Sequence, residues 1–272
     1  MKGKFLVLIL CLCITFLSSG NEYQRIAPVL QEVHSVFYQK TLPYWGLPEH
    51  IHPKLAFIDT EEEKVWFFSM DSREVHYLGE KSWDKHTGVA NSVMEIENET
   101  YVTLIYDTWK RSSSLSQQII ILHELFHLYQ DLLNISSLVS ENYHLDAPTG
   151  RALFEIELKL LNEALLTGEY SKLSDAIQIR LYRQSLFPEN NENLFELHEG
   201  LAEYTGMAFV VKNLRTYLSE RNESLELAGL TNSFAYITGP MYGYFLDTLS
   251  PGWQSAENLQ RGLPVLLADQ MG

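Results

Sequence analysis

The chain has 272 residues, 46% hydrophobic and 12% aromatic, with 20% charged and a formal net charge of −15. That is enough apolar material for a sizeable core, without the charge runs that mark disorder. A surface this acidic disfavours nucleic acid, anionic membranes and acidic polymers as partners, since binding polyanions depends on cations.

The N-terminus reads as a processing signal over 1–20. Lys2 and Lys4 precede an apolar run from Phe5 to Leu17, and Ser18-Ser19-Gly20 forms a small-residue exit. The run is short for a bilayer span, and no later segment has membrane length, so the mature chain is expected to be secreted or periplasmic without an integral span. Both cysteines, Cys11 and Cys13, fall in this segment. The mature protein then has no disulfide and no thiolate ligand, and any metal must be held by nitrogen and oxygen.

Residues 21–272 are expected to form a single domain. Ile26 to Tyr38 reads as an amphipathic helix, broken by Leu42-Pro43-Tyr44-Trp45-Gly46-Leu47-Pro48. A sheet-rich stretch follows over 54–110. Leu55–Ile58 and Val65–Phe68 flank a polar turn as a hairpin, with shorter strands at Val75–Leu78, Ser92–Ile96 and Tyr101–Tyr106. The expected sheet is small and mixed or mostly antiparallel.

From 114 to 272 the pattern is helical. Ser114 with Gln117 reads as a capping box opening a helix to about Leu133. A helical pair covers 151–187, and Asn193 with Glu196 reads as a second capping box, opening a helix to about Leu214. A further helix runs from Ala235 to Leu249. Asp146 reads as an N-cap of the first paired helix and His144 as a surface loop residue; Glu155, Glu157 and Glu163 read as a solvated acidic face. The fold class is α+β, a predominantly helical body with a small sheet N-terminal to the helix that carries the chemistry.

That chemistry starts at His123-Glu124-Leu125-Phe126-His127, an HExxH motif. Residues four apart share a helix face, so both imidazoles can reach one ion. Glu124 is then placed as general base toward a zinc-activated water. Two histidines and a glutamate among Ile120, Ile121, Leu122, Leu125 and Phe126 would be costly to bury without partners, and a metal is such a partner. A catalytic zinc wants three protein ligands. The third is sought in Leu197-His198-Glu199-Gly200-Leu201-Ala202-Glu203-Tyr204, where Glu196, Glu199 and Glu203 share one helical stripe. Spacing alone leaves Glu199 and Glu203 both open, while His198 points off that stripe. Gly200, unfavourable inside a helix, suggests close approach to the HExxH helix.

HELFH followed by an HEGLAEY helix resembles the gluzincin metallopeptidases, in particular the aminopeptidase-N-like and peptidase-MA-like group. The resemblance implies a gluzincin-like body binding one zinc ion per chain through His123, His127 and Glu199. Glu203 would orient a ligating histidine. Tyr236-Ile237-Thr238-Gly239 is similar to the Y-x-x-G element of the same group, which implies that Tyr236 stabilises an oxyanion. It also implies a metallopeptidase with a peptide or protein substrate. Two departures stand out. His127 and Glu199 lie 72 positions apart (199 − 127), a gap filled by the helical pair, and the G-x-M-E-N-type segment of amino-terminus-binding exopeptidases is missing. Competing readings are a catalytically inactive zinc-binding protein and a metal-free secreted binding protein. Glu124 argues against the first, because a structural zinc has no use for a carboxylate there.

Overall fold

A computed structural model describes residues 22–84, 86–223 and 229–271. The processing-signal reading for 1–20, with Cys11 and Cys13, lies outside the described residues. Contacts divide the chain into two compact units. Among the described residues, one takes those up to Gln39 with Glu49–Gln118; the other takes Lys40–Pro48 with those from Ile119 onward. The architecture is α+β with one mixed five-stranded sheet.

In the first unit, α1 (22–36) buries Ile26, Leu30, Val33 and, in a following π turn, Phe37. These positions recur at helical spacing and form one apolar face. The strands are β1 (Lys54–Asp59), β2 (Lys64–Met70), β3 (Val75–Ser82), β4 (Ser92–Ile96) and β5 (Glu99–Ile105). Their order is β3-β2-β1-β5-β4, antiparallel except where β1 meets β5. Leu55 to Ile58 are fully buried on both faces, which explains a continuous apolar run rather than alternation. The β4–β5 hairpin turns through Glu97 and Asn98, both at positive φ, the backbone that fits two-residue hairpins. A short helix α3 (Tyr106–Trp109) follows, Trp109 packing edge-on against Phe57.

The expected Ser114–Gln117 capping box is replaced by Ser113, whose Oγ accepts the Ser116 amide at 3.1 Å. The Gln117 side chain instead donates to the Trp109 carbonyl. This cap opens α4 (Ser114–His127), of which Ile119 onward belongs to the second unit. The helix stops at His127, and the expected extension to Leu133 is a separate 3-10 turn, Gln130–Leu133.

The second unit begins with α2 (Leu42–Trp45), helical where the sequence suggested a break, because Pro43 sits in the first turn and Gly46 ends it at φ 62°. The paired helices are α5 (Pro148–Thr167) and α6 (Tyr170–Leu186), reversed at Gly168 and packed through Leu158, Leu161, Leu165, Leu173 and Ile177. Then come α7 (Glu192–Phe195), a π segment (Glu196–Gly200), α8 (Leu201–Ala208), α9 (Leu214–Glu223), α10 (Leu230–Leu249), α11 (Ala256–Leu259) and α12 (Leu263–Met271). The single helix expected to reach Leu214 is thus interrupted twice. No described helix is long and apolar enough to cross a membrane.

Three loop and helix residues sit differently from expectation. Asp146 does not cap α5, where Pro148 at the first turn needs no donor partner. It caps α10, accepting the Leu230 amide at 2.8 Å and the Thr231 hydroxyl at 2.7 Å. His144 is partly buried, its ring turned inward to Glu192 with 2.7 Å between Nε2 and Oε1. Glu157 is fully buried, whereas Glu155 is exposed as expected.

Candidate metal centre

Around the HExxH residues, Ile121, Leu122, Leu125 and Phe126 are all buried, which fixes α4 in the interior and limits how its histidines can turn. His123 and His127, one turn apart, bring their Nε2 atoms to 3.0 Å. From the π segment, Glu199 brings Oε2 to 3.6 Å from one and 3.5 Å from the other. Zinc–ligand bonds of about 2.0–2.1 Å at tetrahedral angles put ligand atoms roughly 3.3 Å apart. The triangle fits such an ion.

The other ring nitrogens decide what this triangle can be. Gln130 donates its amide nitrogen to the His198 carbonyl at 2.6 Å, so its Oε1 must face His127 Nδ1, 2.8 Å away. An oxygen there requires a proton on Nδ1. His123 Nδ1 likewise donates to Glu203 Oε2 at 3.1 Å, and Arg221 holds the other oxygen of Glu203 at 2.8 Å. With both Nδ1 atoms protonated, both Nε2 lone pairs point inward at each other. Only a cation relieves that arrangement, either an extra proton on one ring or a metal ion between them. Outer partners of this kind fix the tautomer and orientation of ligating histidines.

Electrostatics favour positive charge here. Burial opposes a charge on His123, but Glu199 and Glu203 outweigh it and push this group up to about 10. Burial works against Glu199 as well, yet His123, His127 and His198 hold its carboxyl far below the usual carboxylate range. In the metal-free protein the raised His123 contributes stability that is complete below about pH 6.5 and lost as pH rises through about 10. A metal reverses this, because it needs the nitrogen bare and competes with the proton. Thermal melts across that window are expected to show a midpoint that falls with pH without zinc, and a zinc-induced rise that grows with pH. A zinc effect indifferent to pH would contradict the shared site.

Glu124 is buried, its Oε2 meeting no hydrogen-bond partner among the described residues, and burial raises its pKa. A buried acceptor left open is costly unless something outside the protein's own groups meets it. Tyr236 lies with its ring parallel to that of His123, centroids 5.6 Å apart, and its hydroxyl donates to Glu199 Oε2 at 2.5 Å. Burial and the nearby Glu199 raise its pKa well above the usual tyrosine range, so it stays a donor. His198 faces the other Glu199 oxygen at 3.0 Å and packs its ring 4.7 Å from that of His127.

His123, Glu124, His127, Glu199, Glu203 and Tyr236 are therefore brought together. Glu196 is not. The π segment widens the helix, and Glu196 turns to Arg180 and Thr238 instead of sharing a stripe with Glu199. Nor does Gly200 approach α4: a Cβ there would meet the Ala235 carbonyl and the Gly239 Cα at 2.9 Å, so its partner is α10. That close crossing sets Tyr236 beside Glu199. The sequence reading missed Gln130 and Arg221. Gln130 lies three residues after His127, a spacing that places side chains together and could have marked it. Arg221 carries no local signal.

No family model, no curated protein and no solved structure matches the chain. The residues and their geometry carry the functional reading.

Proposed function

We propose that this chain is a zinc-dependent hydrolase of gluzincin-like construction that cleaves peptide bonds. The observation supporting it is the commitment of both Nδ1 atoms, which turns both Nε2 atoms and Glu199 Oε2 toward one point. Two imidazoles and a carboxylate suit zinc. When bound, zinc acts as a Lewis acid toward a carbonyl and acidifies water to a pKa near 7.

The protein's own groups supply the rest. Glu124 Oε2, without a hydrogen-bond partner among the described residues, takes the proton of the attacking water and returns it to the leaving amine. Tyr236, held protonated, donates to the oxygen that gains charge during attack. Glu203 and Gln130 keep both imidazoles aimed inward. Export is part of the reading, on Lys2, Lys4 and the apolar run Phe5–Leu17.

A peptide library incubated with zinc-loaded protein tests it. Cleavage that a chelator abolishes and added zinc restores is the expected result. Full zinc occupancy with no cleavage of any member would instead leave a catalytically silent metal-binding protein.

A further inference from the structure

Beneath the metal centre lies a buried ionic network that the catalytic reading does not use. Glu157, Arg180, Arg183, Glu192 and Glu196 are all fully buried. Arg180 Nε donates to Glu157 at 2.8 Å, and Arg183 takes the same carboxylate at 2.6 Å and Glu192 at 2.6 Å. Tyr242 donates to Glu157 as well, at 2.8 Å. Charges so deep cost more than well-packed apolar side chains of like volume, so a purely structural role has a cheaper solution.

The contacts of Arg180 suggest another role. Its Nη2 reaches Glu196 Oε1 at 3.0 Å and Thr238 Oγ1 at 3.2 Å, and the Thr238 hydroxyl in turn donates to Glu196. Glu196 stands three residues before Glu199 on the π segment, and Thr238 two residues after Tyr236 on α10. One guanidinium from α6 therefore clamps the element that bears the third ligand to the element that bears the tyrosine. Gly200 and Gly239 touch with no side chain between them, so neither element can shift at the clamp without the other following.

We propose that Arg180 is a positioning residue for the metal centre, holding Glu199 and Tyr236 in register with the histidine pair. The helical pair α5–α6 then serves the site it separates in sequence. This rests on the metal reading above. Outer partners of metal ligands are worth about 10–100-fold in affinity, and one contact further out is expected to cost about tenfold.

The test compares wild type, the charge-neutral Arg180→Met/Glu196→Gln pair, and the milder Thr238→Val, which loses the shared hydroxyl but keeps the ion pairs. Zinc affinity is read by chelator competition, and the site by the visible spectrum of the cobalt-substituted protein. Expected are about tenfold weaker zinc binding, an altered cobalt spectrum, and a fall in kcat with KM little changed. Thr238→Val carries the test if the paired variant does not fold. Folded variants with wild-type zinc affinity and cobalt spectrum overturn the proposal, whatever their melting temperatures. A wild-type chain that takes up no zinc overturns the metal reading itself, in an arm independent of the variants.

Discussion

Glu124→Gln is expected to keep one zinc per chain while hydrolysis falls by roughly 10²–10⁴-fold, the usual worth of a positioned acid–base group. Glutamine matches glutamate in shape, and the oxygen it replaces has no hydrogen-bond partner among the described residues. No hydrogen bond among the described residues is lost at that oxygen, and a buried group with a raised pKa is exchanged for a neutral one, so the fold is expected to tolerate it well. Zinc analysis beside initial rates on a cleaved peptide checks this. Retained turnover would remove Glu124 from the chemistry, and loss of zinc would make it a ligand.

The two candidate third ligands separate by magnitude. Glu199→Ala is expected to weaken zinc binding by more than about a hundredfold, because it deletes one of three donors. Glu203→Ala is expected to weaken it by only about 10–100-fold, the range for groups that orient a ligand. The geometry sets this order. Glu199 Oε2 faces both Nε2 atoms, whereas Glu203 meets the far side of the His123 ring and is neutralised by Arg221. Chelator competition on both variants reads it, and the reverse order would make Glu203 the ligand.

What the sequence made legible was local. His123 and His127 share a face because helical periodicity requires it, and the surrounding apolar run fixes their helix in the interior. The strands at 54–110 and the helical pair announced themselves through β-branched and aromatic runs and through turn residues. Errors came where a residue's partner lies far along the chain. Asp146 stands just before a helix, the place of a cap, yet its acceptors serve α10, more than eighty positions on. Glu157 sits among charged neighbours in sequence, but its partners are Arg180, Arg183 and Tyr242. A regular helix would have aligned Glu196 with Glu199, and the π segment that separates them leaves no mark in residue type or spacing. Gly200 correctly signalled a close crossing, without saying which helix makes it. Tyr236 could be singled out among 15 tyrosines only through the family resemblance, and its stacking on His123 is a tertiary fact.

The most direct measurement is metal analysis of the purified full chain joined to X-ray absorption at the zinc edge. One zinc per chain, with two imidazole nitrogens and carboxylate oxygen at about 2.0–2.1 Å, is the predicted result. A protein that stays metal-free in excess zinc, or whose zinc environment persists unchanged in a His123→Ala/His127→Ala variant, would contradict the account at its root.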